Sequence, residues 1–290
     1  MTGHARALAV AGVLALASLL AASAPAHGGP AIHAGPMKGQ VPPHGQAHAA
    51  SADLIYHGGP VLTTGAAVTP IFWGSSWTSD PQNKKGWLDT FYKGMSDSTY
   101  VGTNTEYTQN GGAHVGKTLS VNAGITDTSA APGRAPSTAQ VLAEVANVIT
   151  SPTSNGYYPV YTDTPRGRAR YCAWHSAGTI NGVTVQFAFF FNLDGDAGCD
   201  PNSSVTAYSQ GVAALGNVSG HELSEALTDP QLNAWYDGSG AENADKCAWT
   251  FGHPALTFSN GSQWRVQGNW SNAASAAHSG YDGAGCIDGG

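Results

Sequence analysis

Apolar residues recur with helical spacing in some stretches of this chain and with strand-like spacing in others. Trp87, Leu88, Phe91, Tyr92 and Met95 fall at i, i+1, i+4, i+5 and i+8, the stripe of a helix opened by Asp80-Pro81. Val141, Leu142, Val145, Val148 and Ile149 line a second helix, capped by Ser137 and closed by Ser151-Pro152. A third, long helix is expected over residues 205–228, capped by Asn202-Ser203-Ser204. It stops there because Pro230 disfavours helical geometry at Asp229.

Between these helices the period shortens. Residues 67–74 form an aromatic and β-branched run between glycines, which predicts a buried strand. Residues 106–121 alternate weakly and predict one or two strands around Asn110-Gly111-Gly112. Residues 157–162 predict another strand, and 170–176 with 183–192 a hairpin turning at Asn181-Gly182. The run 183–192 is the most apolar and belongs at the centre of a sheet. After Pro230 the pattern is loop-rich, with Trp235, Trp249, Trp264 and Trp270. The fold class expected is α/β (α+β): one domain over 54–290, a mixed sheet flanked by helices, and no internal repeat.

The N-terminus departs from this pattern. Arg6 precedes an alanine- and leucine-rich run to Ala22, and Ala24-Pro25-Ala26 offers a small-residue cleavage site. The run is too short and alanine-rich for a stable span, so residues 1–26 read as a secretory signal peptide, leaving no membrane span in the mature chain. Residues 27–53 carry His27, His33, His44 and His48 among glycines and prolines. Without apolar periodicity they read as a disordered arm. Its histidines could hold a transition metal loosely, or the arm is a plain spacer.

Secretion gives the four cysteines a reading. Cys172, Cys199, Cys247 and Cys286 make an even set without a C-x-x-C pair, expected as two disulfides. Three connectivities are open; Cys172–Cys199 with Cys247–Cys286 is the simplest. Charged residues are only 11% of the chain, with 12 basic against 19 acidic. An acidic chain without a basic cluster argues against nucleic acid or an anionic membrane as partner. A monomer is expected.

The candidate chemistry lies near the end of the third helix, in Gly220-His221-Glu222-Leu223-Ser224-Glu225. His221 and Glu225 are four residues apart and share a helical face. Glu222 is turned about 100° from His221. This is the arrangement of a zinc-hydrolase helix, with Glu where the second His of H-E-x-x-H would stand. Gly211, Gly216 and Gly220 each cost the helix about 1 kcal/mol relative to Ala, so close packing or a ligand is expected beside them. Downstream, Glu242 and Asp245 lie just before Cys247. The expected metal set is His221, Glu225 and Glu242 or Asp245, with Glu222 as the base that activates a bound water. Zinc is the ion such a helix suggests, but one histidine with two carboxylates is a hard, anionic set that binds zinc less tightly, so calcium or manganese stay open. On the other reading, the two glutamates are ordinary helix residues and His221 a hydrogen-bonded core histidine. His175 could hydrogen-bond or ligate at the site, as a supporting residue behind the main ligands, or be structural. The run 194–200 has the oxygen density of a calcium loop without EF-hand spacing, and a turn rich in Asp and Gly needs no ion.

Several motifs, in order, resemble the EXORDIUM (phosphate-induced protein) family. They are Tyr56-His57-Gly58-Gly59-Pro60-Val61-Leu62, then Ile71-Phe72-Trp73-Gly74, then Cys172-Ala173-Trp174-His175 and the apolar strand. The His221–Glu225 helix with Thr228-Asp229-Pro230, Asn233-Ala234-Trp235-Tyr236 and Glu242…Asp245…Cys247 completes the resemblance, which spans about 54–286. It implies a secreted protein and no firmly assigned activity. Some members lack the His-Glu pair, whereas others keep H-E-L-A-E followed by E-x-x-D-x-C, the group this chain matches. The expected function is a secreted metal-binding protein, a zinc-dependent, zincin-like hydrolase of peptide bonds. The alternative is a non-catalytic extracellular protein that binds cell-wall glycan or a surface partner through exposed Trp and Tyr.

Overall fold

The computed structural model describes residues 1–2, 29–45 and 52–290. The expected signal peptide, apart from Met1 and Thr2, lies outside the described residues, as do His27 and His48. Among the described residues, eight strands form one mixed sheet. Val183–Asn192 pairs antiparallel with Ala173–Ile180 on one side and parallel with Gly156–Pro165 on the other. All but its first two and its last residue are buried, which suits the central place its apolar run predicts. Beyond Gly156–Pro165 come Ala67–Val68 and Ile71–Trp73, both parallel to it, and then Ser120–Val121 and Ile125–Asp127. The single strand expected over 67–74 is thus two short ones. Pro70, which has no N–H to give a ladder, sits at the break.

Helices cover both faces of the sheet, and the period-2 alternation of one strand shows how. A Cβ at Gly178 would point at Leu142 on the helix Thr138–Val148, whereas His175 reaches Glu225 on the helix Gln210–Thr228. An odd separation along a strand puts the two positions on opposite faces. Thr138–Val148 begins with a full capping box between Ser137 and Gln140. Lys84–Met95 opens where Asp80 accepts from the backbone of Lys84 and Lys85, and it packs beside Gln210–Thr228.

The long helix starts five residues later than its sequence suggests. Asn202 adopts φ 54°, a left-handed conformation that does not enter a helix. Its N–H is taken by Asp200, and Ser209 supplies the cap instead. Every residue from Gly211 to Thr228 is buried. At Gly216 a Cβ would run into the Trp264 ring and at Gly220 it would crowd Tyr100, whereas at Gly211 it would meet the Asp194 carboxylate.

The N-terminal arm needs the largest correction. Residues 29–45 are not a disordered tail. Ile32–Ala34 adds an antiparallel strand to the edge of Ala173–Ile180. Farther on, the backbone of Lys38 pairs with His175, and that of Val41 exchanges hydrogen bonds with Ala173 and Cys172. An open sheet edge offers unpaired N–H and C=O groups to any extended segment, whatever its side chains. A pairing held by backbone groups leaves no apolar period in the sequence. Of the arm's described histidines, His33 is paired to Thr179, whereas His44 contacts Asp200 O and packs against Trp249.

Two disulfides form, Cys172–Cys199 and Cys247–Cys286, the simplest of the three pairings. They span 27 and 39 residues, and on the chain-entropy model each stabilises the fold by about 3.5–4 kcal/mol. No helix among the described residues is long and apolar enough to cross a membrane.

Candidate metal centre

The chain turns back on the long helix immediately after leaving it. Asp229 closes the helix by donating its N–H to Glu225 O, and its Oδ1 accepts from the N–H groups of Asn233 and Ala234. The chain then runs through Trp235–Tyr236, paired with Ile55–Tyr56, and Asp237 Oδ1 takes the N–H groups of Ser239 and Ala241. These turns deliver Glu242 and Asp245 to the helix, where the Cys247–Cys286 bridge holds the short helical turn Asp245–Cys247.

Two triads of donors result, and they share Glu225. His175, Glu225 and Glu242 form one; His221, Glu225 and Asp245 form the other. In the first, His175 Nε2 lies 3.0 Å from Glu242 Oε2 and 3.4 Å from Glu225 Oε2. In the second, His221 Nε2 lies 3.0 Å from Glu225 Oε1 and 3.6 Å from Asp245 Oδ1. The donors of an ion with bonds of 2.0–2.1 Å in tetrahedral geometry stand about 3.3 Å apart, and these separations bracket that value. His175, His221, Glu225 and Glu242 are at most 1% exposed, and Asp245 5%.

Proximity here is not simply hydrogen bonding. His221 Nε2, Glu225 Oε2, Glu242 Oε1 and Asp245 Oδ1 are buried atoms with no hydrogen-bond partner, although His221 Nε2 and Glu225 Oε1 are in close contact. Within the first triad His175 Nε2 and Glu242 Oε2 do hydrogen-bond, at 3.0 Å, so only part of the site's polar capacity is met by the chain itself. Orphaned buried polar atoms are costly, so these residues could hold a metal ion.

The structure sorts the residues named from the sequence into two groups. His175 is a member of one triad, and Glu242 and Asp245 each stand with their own histidine. Glu222 belongs to neither triad; both its oxygens are buried without a partner. The strand position of His175 gives no metal-ligand spacing relative to His221, so only the sheet–helix packing reveals its role.

Other contributors have no recognisable motif. Gln267 takes Asn217 Oδ1 with its backbone N–H, and its amide nitrogen donates to Ala244 O at 2.9 Å and lies 2.7 Å from His221 Nδ1. A ring that ligates through Nε2 carries its proton on Nδ1. An ion at His221 therefore requires the Gln267 amide to turn its oxygen toward the ring. Asn104 accepts from Asn243 Nδ2 at 2.6 Å and donates to Ser224 Oγ, fastening the acidic loop to the helix. Gly39, at φ 52°, lies over the site: a Cβ there would collide with Glu225 Oε2 and the His175 ring. The N-terminal segment thus roofs the cluster, and only glycine fits that position. A cavity of about 370 Å³ opens beside the roof, lined in part by Lys38, Gly39, Arg170, Gly240 and Asp245. A cavity of similar size between Ser76 and Asp194 has no histidine in its lining.

The electrostatics are those of crowded acids. Burial alone would raise the Glu225 carboxyl, but His221 and His175 outweigh it and hold it at about 2. Burial works to lower His221, yet Glu225 and Asp245 push it up to about 10. Burial raises Glu222 well above the carboxylate range, with Glu225 adding to it, and also raises Glu242. Among the described residues no lysine or arginine pairs with these four acids; their basic partners are histidines. The helix C-terminus, with its negative dipole end, adds to the demand for positive charge.

No family model matches the chain, and no curated protein or solved structure is significantly similar to it.

Proposed function

We propose that this is a secreted, metal-dependent hydrolase whose centre is built on His221 and Glu225. The observation that carries the reading is the convergence of fully buried imidazole and carboxylate donors with orphaned lone pairs. An ion there would polarise a bound water and a substrate carbonyl, and Glu222, one residue from His221, would take the water's proton. The H-E-x-x-E helix makes this zincin-like, with zinc the first candidate and manganese or calcium the harder alternatives. A peptide bond is the substrate class that such a helix suggests. Two disulfides fit an oxidising compartment, which agrees with the leader-like N-terminus and with the resemblance to the EXORDIUM family.

The glycan-binding alternative draws less support. Stacking platforms need exposed rings, and all eight tryptophans and all eleven tyrosines are buried or half-buried. Metal analysis of protein purified without a histidine tag tests the reading. Stoichiometric metal that is lost in His221→Ala is expected, and its absence from the parent protein would sink the proposal. Glu222→Gln should keep the metal and lower hydrolysis of a casein-type substrate by about 10²–10⁴-fold. Loss of metal together with activity would make the ion structural.

A further inference from the structure

The two triads do not collapse into one ligand sphere. Among the described residues, no set of three donors lying within 4.8 Å of one another contains both His175 and His221. An ion with bonds of 2.0–2.1 Å spans at most about 4.2 Å between opposite donors. As the side chains stand, a single ion can serve one histidine or the other. Glu225 faces both: Oε2 lies 3.4 Å from His175 and Oε1 3.0 Å from His221. One carboxylate with an oxygen in each triad is the arrangement of a bridging ligand between two ions about 3.5–4 Å apart.

Charge is compatible with this arrangement. Glu222, Glu225, Glu242 and Asp245 lie in the interior, with the buried Asp229 close by. Among the described residues the triad carboxylates have only histidines as basic partners, so divalent cations would meet carboxylates that lysine and arginine leave unpaired.

We infer that the site is dinuclear: Glu225 bridges one ion held by His175 and Glu242 and a second held by His221 and Asp245. This rests on the metal-centre reading above and goes beyond it in making His175 a ligand and the ion count two. The ions are divalent first-row cations, given the mixed imidazole and carboxylate donors.

The test uses the full mature chain, stripped with chelator and titrated with Mn²⁺ and separately with Zn²⁺, the bound metal being counted after gel filtration. Two equivalents are expected, falling to one in His175→Gln and to one in His221→Gln, each checked for folding by circular dichroism. One equivalent in the parent protein overturns the dinuclear site and leaves the metal centre standing. None overturns both. Should a variant fail to fold, electron paramagnetic resonance of the Mn²⁺-loaded parent decides. A spin-coupled pair spectrum supports the bridge, and a six-line spectrum of isolated ions at full loading refutes it.

Discussion

At residues 194–200, Asp194 meets the Lys84 ammonium at 2.5 Å, and Asp196 accepts from Arg166 through both oxygens, at 2.6 and 2.9 Å. Asp200 takes the N–H of Asn202. Around Glu225 the same residue types have no such partners: four acids face two histidines and one another. By oxygen density the first region is the better calcium loop, yet Asp194 and Asp196 are answered by the chain's own cations. The second spreads its acids over a helix and a distant loop, and among the described residues only histidines answer their charge. The density of carboxylates is therefore a poor sign of a metal; the absence of Lys and Arg beside buried ones is a better sign. Burial sharpens the contrast, because an unpaired charge costs several kcal/mol inside the protein and little at its surface.

The largest expected effect is at the shared residue. Glu225→Ala should empty the site of metal and destabilise the fold by about 3–5 kcal/mol, since both histidines lose their common partner. Metal analysis and urea unfolding measure the two effects, and retention of metal would erase the contrast between the regions. Next, Arg166→Ala should cost about 2 kcal/mol, less than a fully buried pair because Arg166 and Asp196 keep some solvent contact. Chelator should lower the melting temperature of the Arg166→Ala protein as much as that of the parent. A smaller shift would mean that an ion sits in the Asp194–Asp196 region after all.

A third acid pair shows what happens with neither cation nor metal. Burial, reinforced by Asp127, pushes the Glu144 carboxyl up to about 8. A raised carboxyl binds its proton more tightly in the folded chain than in the unfolded one. Stability should therefore fall as pH rises from about 4.5 to about 8 and level off above that. Glu144→Gln should flatten this part of the curve in urea midpoints measured across that range; an unchanged slope would contradict the assignment. The smallest effect belongs to Lys93–Asp89, an exposed i,i+4 pair. Lys93→Ala should change stability by about 0.3–0.5 kcal/mol, and a loss above about 1 kcal/mol would show that surface pairs carry more here than the comparison allows.

Much of this was legible in the residues. Helical stripes marked the faces of Lys84–Met95 and Thr138–Val148, and the Ser137 capping box fixed where the latter begins. Asn181-Gly182, at φ 51° and 81°, made the hairpin, and Val183–Asn192 lies between two long partners as its composition required. The spacing of His221 and Glu225 put both side chains in one triad, because i and i+4 are neighbours on any α-helix.

What the residues could not disclose depended on contacts between distant segments. His175 joins Glu225 because a strand and a helix pack face to face, a relation with no signature in either segment alone. The split of Glu242 and Asp245 between two histidines follows from the path of the loop after Asp229, set by its side chain's hold on Asn233 and Ala234. The arm over the site was hidden most completely. Its pairing with Ala173–Ile180 runs through backbone groups that every residue carries, so its composition spelled a disordered tail while its edge position made it the roof. Local periodicity decided the elements, and the closing of long loops decided which of their side chains became a site.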